Sequence, residues 1–487
     1  MNSLRQTAQQ GDAAAQYSLG SLYESGEGVA PDLEKAAGWY RKAARQGHGW
    51  AQYTMGRLYE TGQGVPQDLA KAANWYRKAA EQGVDWAEYA LGDLYTKGEG
   101  VPQSFETAAT WYQRAAIQTL AEAQHALACL YEEGEGVAQD LLKAATLHRK
   151  AAEQGYVFAQ HSLGDLYKKG VGVRQSFEKA GAWYRKAAMQ GYSWAQLALG
   201  ELYEKGDGVK YNAAKAEDWY MKAAVQGNRW AEYALGRLYE KGEPCSRDFA
   251  EAAAWYRKAA EQGHASAQDA LARLYSNGQG VPQDFAEAIV WHHKAAEQGS
   301  AWAQYALGDV YESGKITPPN FSKAAVWYRK AAEQGSDLAQ DALGTLYAKG
   351  RGVPQDFVEA AVWYRKAAEQ GDEYAQYTLG RLYKKGRGVP QDFVEAATWC
   401  RKSAEQGNAQ AQYVLGGLYK NGEGVQQDYQ SAYIWLSLSV KNRCYMKGFG
   451  KLLNVVAQKL SAVQLESAES TIAEYLELYR TVRSAAA

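Results

Sequence analysis

One dipeptide, Gln-Gly, recurs along the chain every 36 residues. Only Thr119 interrupts the series, whose glycines are Gly11, Gly47, Gly83, Gly155, Gly191, Gly227, Gly263, Gly299, Gly335, Gly371 and Gly407. The period divides residues 12–443 into twelve equal units. A chain of 487 residues would by its length alone suggest about three domains. Because a fixed period marks a repeated supersecondary unit, the sequence instead predicts a repeat architecture.

Each unit begins with an amphipathic pattern that predicts a first helix, helix A. In the third unit the apolar residues fall at i, i+3, i+4, i+7 and i+8, namely Ala87, Ala90, Leu91, Leu94 and Tyr95. Gly98 and Gly100 follow, where the end of a helix needs residues that tolerate positive φ. Pro102 then prevents the helix from continuing, so the chain is expected to turn here.

A second pattern predicts helix B in the same unit. Three units place an aspartate three residues before a glutamate, the capping-box spacing that begins a helix: Asp284 and Glu287, Asp356 and Glu359, Asp392 and Glu395. The apolar stripe has the spacing of helix A, through Ala72, Trp75, Tyr76, Ala79 and Ala80. We expect helix B to end near the glycine that closes the unit.

Helices this short cannot bury their apolar stripes alone, so consecutive units must stack. The sequence therefore predicts an all-α solenoid of helix-turn-helix repeats with one continuous core over residues 12–443. Residues 1–11 resemble the end of a helix B and are expected to form a half-repeat, either a cap or part of a longer chain. After residue 443 the period fails, and Ser461 with Gln464 predicts a last helix, so residues 444–487 are expected to form a C-terminal helical cap.

Several segments resemble the Sel-one-like repeat, a subclass of the tetratricopeptide superfamily: Ala303-Gln-Tyr-Ala-Leu-Gly, Gly278-Gln-Gly-Val and Ala361-Val-Trp-Tyr-Arg-Lys-Ala-Ala-Glu-Gln-Gly. The resemblance implies a right-handed αα superhelix that acts as a scaffold or adaptor, binds a peptide or protein on its concave face, and has no catalytic residues and no cofactor. Two turns depart from the Gly-x-Gly-Val pattern, Gly242-Glu-Pro-Cys and Gly314-Lys-Ile-Thr-Pro-Pro. We expect a local change of curvature at these turns.

Some bacterial relatives of this repeat are secreted, carry a disulfide in each repeat, and are linked to β-lactam binding or hydrolysis. This suggests an alternative: a secreted protein that binds the cell wall or carbohydrate, or that acts on β-lactams. The present chain has four cysteines and no CxxC pair, which does not provide such a disulfide framework. Because Met1–Asp12 also contains no apolar signal segment, a cytoplasmic location is expected.

The charge balance argues against nucleic acid as a partner. The chain has 54 basic and 55 acidic side chains, so no global field attracts a polyanion. No apolar run is long enough for a membrane helix. A protein or peptide is the expected partner, and self-association stays open.

The resemblance implies that one stripe of helix A lines the groove. Its first position holds an aromatic residue in seven units: Trp50, Trp86, Phe158, Trp194, Trp230, Trp302 and Tyr374. Its second position, three residues later, holds Tyr, His, Asp or Leu, a mixture that indicates partial exposure. The aromatic rings either pack between repeats or act as anchors for a bound peptide. The predicted contact residues are Trp50, Trp86, Tyr89, Trp194, Trp230, Tyr233, Trp302, Tyr305, Tyr374 and Tyr377.

Two polar clusters are weaker candidates for binding sites. Arg381, Lys384 and Lys385 make the eleventh unit basic, which suggests an anion contact, although lysines in a last helical turn are also favoured by the helix dipole. A second cluster, at equivalent places in adjacent units, is His125, Cys129, His161 and Asp165. Its ligands would suit zinc, but adjacent A helices are expected to lie roughly 10 Å apart, so no metal site is predicted.

Overall fold

The computed structural model describes residues 2–242, 246–314, 318–442 and 449–485. Within these ranges the chain forms 27 α-helices and no strand. The chain divides into two compact units, Met1–Ser246 and Arg247–Ala487. The prediction of a single uninterrupted core over residues 12–443 stays a prediction.

The first compact unit contains fourteen helices: α1 Asn2–Gln9, α2 Ala13–Ser25, α3 Leu33–Arg45, α4 Gly49–Thr61, α5 Leu69–Glu81, α6 Asp85–Lys97, α7 Phe105–Ile117, α8 Ala121–Glu133, α9 Leu141–Glu153, α10 Val157–Lys169, α11 Phe177–Met189, α12 Ser193–Lys205, α13 Ala213–Val225 and α14 Arg229–Lys241. From α2 onward the even-numbered helices are A helices and the odd-numbered ones are B helices. Within this unit, each helix packs against its neighbours in the chain, from α1 with α2 to α13 with α14.

The second compact unit contains the other thirteen described helices: α15 Phe249–Glu261, α16 Ala265–Asn277, α17 Phe285–Glu297, α18 Ala301–Ser313, α19 Phe321–Glu333, α20 Asp337–Lys349, α21 Phe357–Glu369, α22 Glu373–Lys385, α23 Phe393–Glu405, α24 Ala409–Asn421, α25 Tyr429–Lys441, α26 Phe449–Ala457 and α27 Ala462–Ala485. The alternation of A and B helices continues through α25.

The helix ends follow from the repeated capping residues. The carboxylate of Asp284 accepts a hydrogen bond of 3.0 Å from the backbone N–H of Glu287, as the capping-box spacing predicts. At the end of α6, Gly98 has a φ of 73°, and its N–H donates to the carbonyl of Leu94. Because a left-handed conformation is strained for residues with a Cβ, glycine ends the A helix at this position.

The second glycine of the turn allows close contact with the preceding repeat. Gly100 has a φ of 71°, and a Cβ at this position would overlap the backbone of Leu69, the first residue of α5. The recurrent Gly-x-Gly therefore lets the turn after one A helix lie directly on the start of the previous B helix. This close packing explains why Gly-x-Gly recurs in the turns.

Alanine lets neighbouring helices approach closely, and large side chains fill the remaining space. One cluster joins α5 and α6 through buried residues including Ala72, Tyr76 and Leu91, with Trp111 of α7 packed against it. The other repeats carry equivalent clusters. Burial of alanine and leucine at each interface supplies the nearest-neighbour stabilisation that a repeat protein depends on.

The second compact unit ends in a helix that lies against the last repeats. Ser461 and Gln464 form the predicted cap at its start, where the hydroxyl accepts from the backbone N–H of Gln464. Tyr479 of α27 is buried, and its hydroxyl donates a hydrogen bond of 2.9 Å to the carbonyl of Ala404 in α23. Ile472 is also fully buried in this cluster, so α27 covers apolar surface of the final repeats.

The predicted all-α fold, with two helices in each 36-residue repeat, is confirmed. The unusual turns were predicted after Gly242 and Gly314, and residues 243–245 and 315–317 lie outside the described ranges. No helix in the described part of the chain combines the length and the apolar character needed to cross a membrane.

Candidate binding face on the A helices

The aromatic residues at the first groove position lie at the second residue of their A helices. The next two residues are buried, as Ala195 and Gln196 of α12 illustrate. Six of the seven aromatic side chains are 44% to 60% exposed, and Trp86 is half-buried. We name these seven side chains the aromatic row: Trp50, Trp86, Phe158, Trp194, Trp230, Trp302 and Tyr374. Each ring of the row therefore combines contact with the repeat and exposure to solvent.

Tyrosines beneath the row fix the orientation of several of these rings. The ring centroids of Trp50 and Tyr53 lie 5.9 Å apart with a T-shaped geometry. Tyr53 in turn lies 5.7 Å from Tyr76, which is fully buried on the neighbouring B helix. The hydroxyl of Tyr76 donates to the carboxylate of Glu60. An exposed tryptophan is thus connected through two tyrosines to the core, which restricts its rotation before any ligand binds.

The same arrangement occurs elsewhere among the predicted contact residues. Trp86 contacts Tyr89 with centroids 6.3 Å apart, and burial raises the pKa of Tyr89. In the second compact unit, Trp302 contacts Tyr305 at 5.9 Å. Tyr377 is buried, so its ring has little surface left for a ligand.

A cavity of about 450 Å³ lies beside two members of the aromatic row in the first compact unit. Trp194 and Trp230 line it together with half-buried Tyr233. Ion pairs also lie in its wall, between Lys168 and Glu201 at 2.9 Å and between Arg237 and Glu204 at 2.5 Å. The cavity therefore combines large aromatic surfaces with charged groups of both signs.

The basic cluster of the eleventh repeat is only partly free for an anion. Lys384 forms an ion pair of 3.4 Å with Glu423. Arg381 is exposed and lies over the ring of Tyr377, 5.4 Å from its centroid. The positive charges of Arg381 and then of Arg387 lower the pKa of exposed Lys385. The anion-contact role stays a prediction.

The four polar residues considered for a metal do not form one group. His161 and Asp165 lie 3.9 Å apart, and the hydroxyl of Tyr184 donates a 2.5 Å hydrogen bond to Asp165. His125 and Cys129 contact each other, with His125 Nε2 3.9 Å from Sγ. Burial, with a smaller contribution from neighbouring histidines, lowers the pKa of His125 to about 4.

The residue that lies next to His125 was not predicted from the sequence. His148 of α9 is fully buried, and its Nδ1 lies 3.1 Å from Nδ1 of His125 in α8. Within the described part of the chain, the cluster of metal-ligating side chains is His125, Cys129 and His148. The signal was present in the repeat, because His148 stands where most B helices carry a buried tyrosine.

A second feature missed from the sequence is a cavity of about 1060 Å³ formed by α7, α8 and α9. Ile117, Leu127, Leu142 and Leu147 are among its lining residues. Leu147 occupies the position at which the other eleven B helices carry tryptophan. The smaller side chain leaves apolar space that an indole fills in the other repeats.

The Sel1 repeat profile matches the chain at residues 13–48, 51–84, 87–119, 121–156, 157–192, 195–228, 231–264, 265–300, 303–336, 337–372, 373–408 and 409–442. These matches cover most of the chain and follow the 36-residue period. Comparison with curated protein sequences gives no significant match.

Two solved structures are similar to this chain. One is c5321, a protective antigen of uropathogenic Escherichia coli strains with an SLR fold, which is 38% identical. The similarity covers 91% of this chain and 95% of that chain, with a TM-score of 0.72. The other is a Sel1 repeat protein from Oxalobacter formigenes, 36% identical over 64% of this chain and 90% of that chain, with a TM-score of 0.51. With twelve matched repeats, this chain belongs to the Sel1 repeat family.

Proposed function

We propose that the protein is a non-enzymatic scaffold that binds a polypeptide partner along the groove formed by its A helices. The observation that carries this proposal is the aromatic row, whose large side chains are half-exposed at equivalent positions of seven of the twelve repeats. Sel1 repeat proteins are generally non-catalytic, and their fold typically serves protein interaction. Exposed tryptophan and tyrosine are also the residue types most enriched in interface hot spots.

The supporting tyrosines make these rings suited to binding. Because Tyr53 and Tyr76 restrict Trp50, little side-chain entropy is lost when a partner covers the indole. The cavity beside Trp194 and Trp230 can accept an apolar side chain of a peptide, and its ion pairs provide polar groups at the edge. This combination favours a peptide with apolar anchors separated by polar residues.

A cytoplasmic location is part of the same proposal. Cys129 and Cys400 are free thiols, which are typical of a reducing compartment. Fractionation of cells that express the full chain would test the location directly.

The binding proposal is tested with the immobilised full chain, its Trp194→Ala/Trp230→Ala variant and a control variant, Val225→Ala. Val225 is exposed at the end of a B helix, so its loss changes apolar surface away from the A helices. Partners captured by the wild type are quantified by mass spectrometry. We expect the double variant to lose a specific polypeptide partner by at least about tenfold, as for loss of two hot-spot residues, and the control to retain it.

Retention of every partner by the double variant would contradict the proposal. If all three proteins have the same circular dichroism spectrum and retain every partner at the same level, the aromatic row does not bind polypeptides in this groove. Loss of partners in the Val225→Ala variant alone would indicate that the binding site lies on the B helices.

A further inference from the structure

The fourth repeat, residues 120–155, differs from the third at three positions that face one another. In the third repeat these positions hold Tyr89, Asp93 and Tyr112. In the fourth they hold His125, Cys129 and His148. Two of the positions lie on helix A, one turn apart, and the third lies on helix B. All three substitutions therefore introduce metal-ligating side chains at one place in the fold.

A second repeat shows what a single histidine does at the helix-B position. In the eighth repeat His292 replaces the same tyrosine, but the helix-A positions there hold Asp269 and Arg273. His292 Nδ1 lies 3.6 Å from a carboxylate oxygen of Asp269. Replacement of the tyrosine by histidine is thus compatible with simple packing. Only the fourth repeat combines it with a second imidazole and a thiol.

The distances in the fourth repeat are close to those of a metal site. Nδ1 of His125 lies 3.1 Å from Nδ1 of His148, and each of the three residues has a ligand atom within 4.8 Å of the other two. Zinc binds imidazole nitrogen at about 2.0–2.1 Å and thiolate sulfur at about 2.3 Å, so tetrahedral ligands lie about 3.3–3.6 Å apart. Small side-chain rotations bring the three atoms to these separations.

A carboxylate beside His148 completes the arrangement. His148 is fully buried, and its Nε2 has no hydrogen-bond partner among the described residues. That nitrogen lies 3.6 Å from a carboxylate oxygen of Glu132. A metal-bound histidine commonly donates its second N–H to a carboxylate, which fixes its tautomer. Glu132 is positioned for this role when Nδ1 of His148 binds the metal.

We propose that His125, Cys129 and His148 bind a Zn²⁺ ion, with water as the fourth ligand. Two imidazoles and one thiolate form the nitrogen and sulfur donor set that zinc prefers. Cys129 binds as the thiolate, so binding releases its proton to solvent. The ion links α8 to α9 and stabilises the fourth repeat.

The full chain is first treated with a chelator and dialysed, then titrated with Zn²⁺ by calorimetry and with Co²⁺ by absorption spectroscopy. We expect one Zn²⁺ per chain with submicromolar affinity. Co²⁺ should give a thiolate charge-transfer band and the visible bands of tetrahedral cobalt. Cys129→Ser should abolish the charge-transfer band and weaken Zn²⁺ binding by at least about tenfold.

A repeat-matched pair of variants separates metal binding from folding. In most repeats a glycine of helix A lies against the tyrosine of helix B, and Ala128 and Ala272 replace this glycine in the fourth and eighth repeats. A variant that restores the tyrosine therefore also restores the glycine. Ala128→Gly/His148→Tyr should lose zinc binding, whereas Ala272→Gly/His292→Tyr and His161→Gln should bind as the wild type does. Circular dichroism verifies that each variant is folded.

The proposal is overturned if the wild type binds no Zn²⁺ at micromolar free concentration. It is also overturned if Cys129→Ser binds Zn²⁺ with wild-type affinity, or if the control variants lose binding as completely as the variants of the fourth repeat.

Discussion

The side-chain nitrogen of Gln82 donates a hydrogen bond of 2.6 Å to the side-chain oxygen of Gln52. Gln52 is buried, and its own nitrogen donates to the carbonyl of Ala44, at the end of the preceding B helix. Equivalent glutamine pairs link other repeats, including Gln190 with Gln160. This network explains why glutamine precedes the glycine that closes each repeat.

Replacing Gln52 by leucine should destabilise the protein. Gln82 and the carbonyl of Ala44 would each lose one hydrogen bond, and each such bond contributes about 0.5–1.5 kcal/mol. Urea denaturation followed by circular dichroism measures the change. Gln63→Leu is the matched control, because Gln63 is exposed in a turn. Equal midpoints for the two variants would show that the glutamine pair contributes nothing.

Gly92→Ala should destabilise the third repeat by about 1–3 kcal/mol, the usual cost of overpacking. A Cβ at Gly92 would lie 2.6 Å from a ring carbon of Tyr112. The fourth and eighth repeats carry alanine at this position together with histidine in place of tyrosine, so Gly92→Ala/Tyr112→His should recover much of the loss.

Gly38→Ala is the control for the glycine experiment. Gly38 is in the middle of α3 with open space around it, so alanine should stabilise that helix by about 0.5–1 kcal/mol. Thermal denaturation of the three variants compares these effects. A stable Gly92→Ala protein would contradict the close contact between Gly92 and Tyr112.

Leu147→Trp should stabilise the first compact unit by about 1 kcal/mol, because the indole buries apolar surface in the wall of the cavity formed by α7, α8 and α9. The new ring would also lie next to Lys150. The equivalent pair in α15 shows this contact, because the amino group of Lys258 lies 3.8 Å from the ring centroid of Trp255. Val225→Trp adds an indole at an exposed position and serves as control. If both variants melt at the same temperature, the cavity does not accept the ring.

Asp341 should make stability depend on pH. Its burial, together with the carboxylate of Asp372 and against the charge of Lys349, raises its pKa from 3.8 to about 7. Because the folded pKa is the higher one, the stabilisation from Asp341 is complete below pH 3.8 and is lost as the pH rises through about 7. Ionised Asp341 therefore destabilises the folded protein at pH 8.

Asp341→Asn should be more stable than the wild type at pH 8, by on the order of 1 kcal/mol, and the difference should shrink toward pH 4. Denaturation at several pH values measures this difference. Asp309→Asn, at an exposed position, should show no such trend. A difference between Asp341→Asn and the wild type that is constant with pH would contradict the raised pKa.

The repeated elements of the fold could be predicted from sequence because each one recurs. Comparing repeats identified the cap at Asp284 and the end of helix A at Gly98, and the capping spacing alone identified the start of the last helix at Ser461, outside the repeats. These features depend on local chemistry, which is encoded within a few residues. The division into two compact units at Ser246 does not follow from the period, which continues unchanged there, and the altered turn at Gly242 predicted only a local change of curvature.

The candidate sites were harder to predict, because they depend on which neighbouring helix a side chain faces. The period of the sequence pairs His125 with His161 on the next A helix, whereas the ring of His125 contacts His148 on the B helix of its own repeat. The cavity beside Leu147 was missed for a related reason: a single substitution in a periodic sequence does not show how much space it leaves. Spacing along one helix predicts which side chains share its exposed face, but not which residues of a neighbouring helix they contact.

The central claim, that a polypeptide binds along the A helices, is tested most directly by site-specific photo-crosslinking. A photoreactive phenylalanine analogue is introduced at position 50 or 194 in the aromatic row of the first compact unit, or at position 225 at the end of a B helix. We predict that the same polypeptide partner becomes crosslinked at 50 and 194 and not at 225. Crosslinking at 225 alone, or at none of the three positions while the partner remains bound, would contradict binding along the A helices.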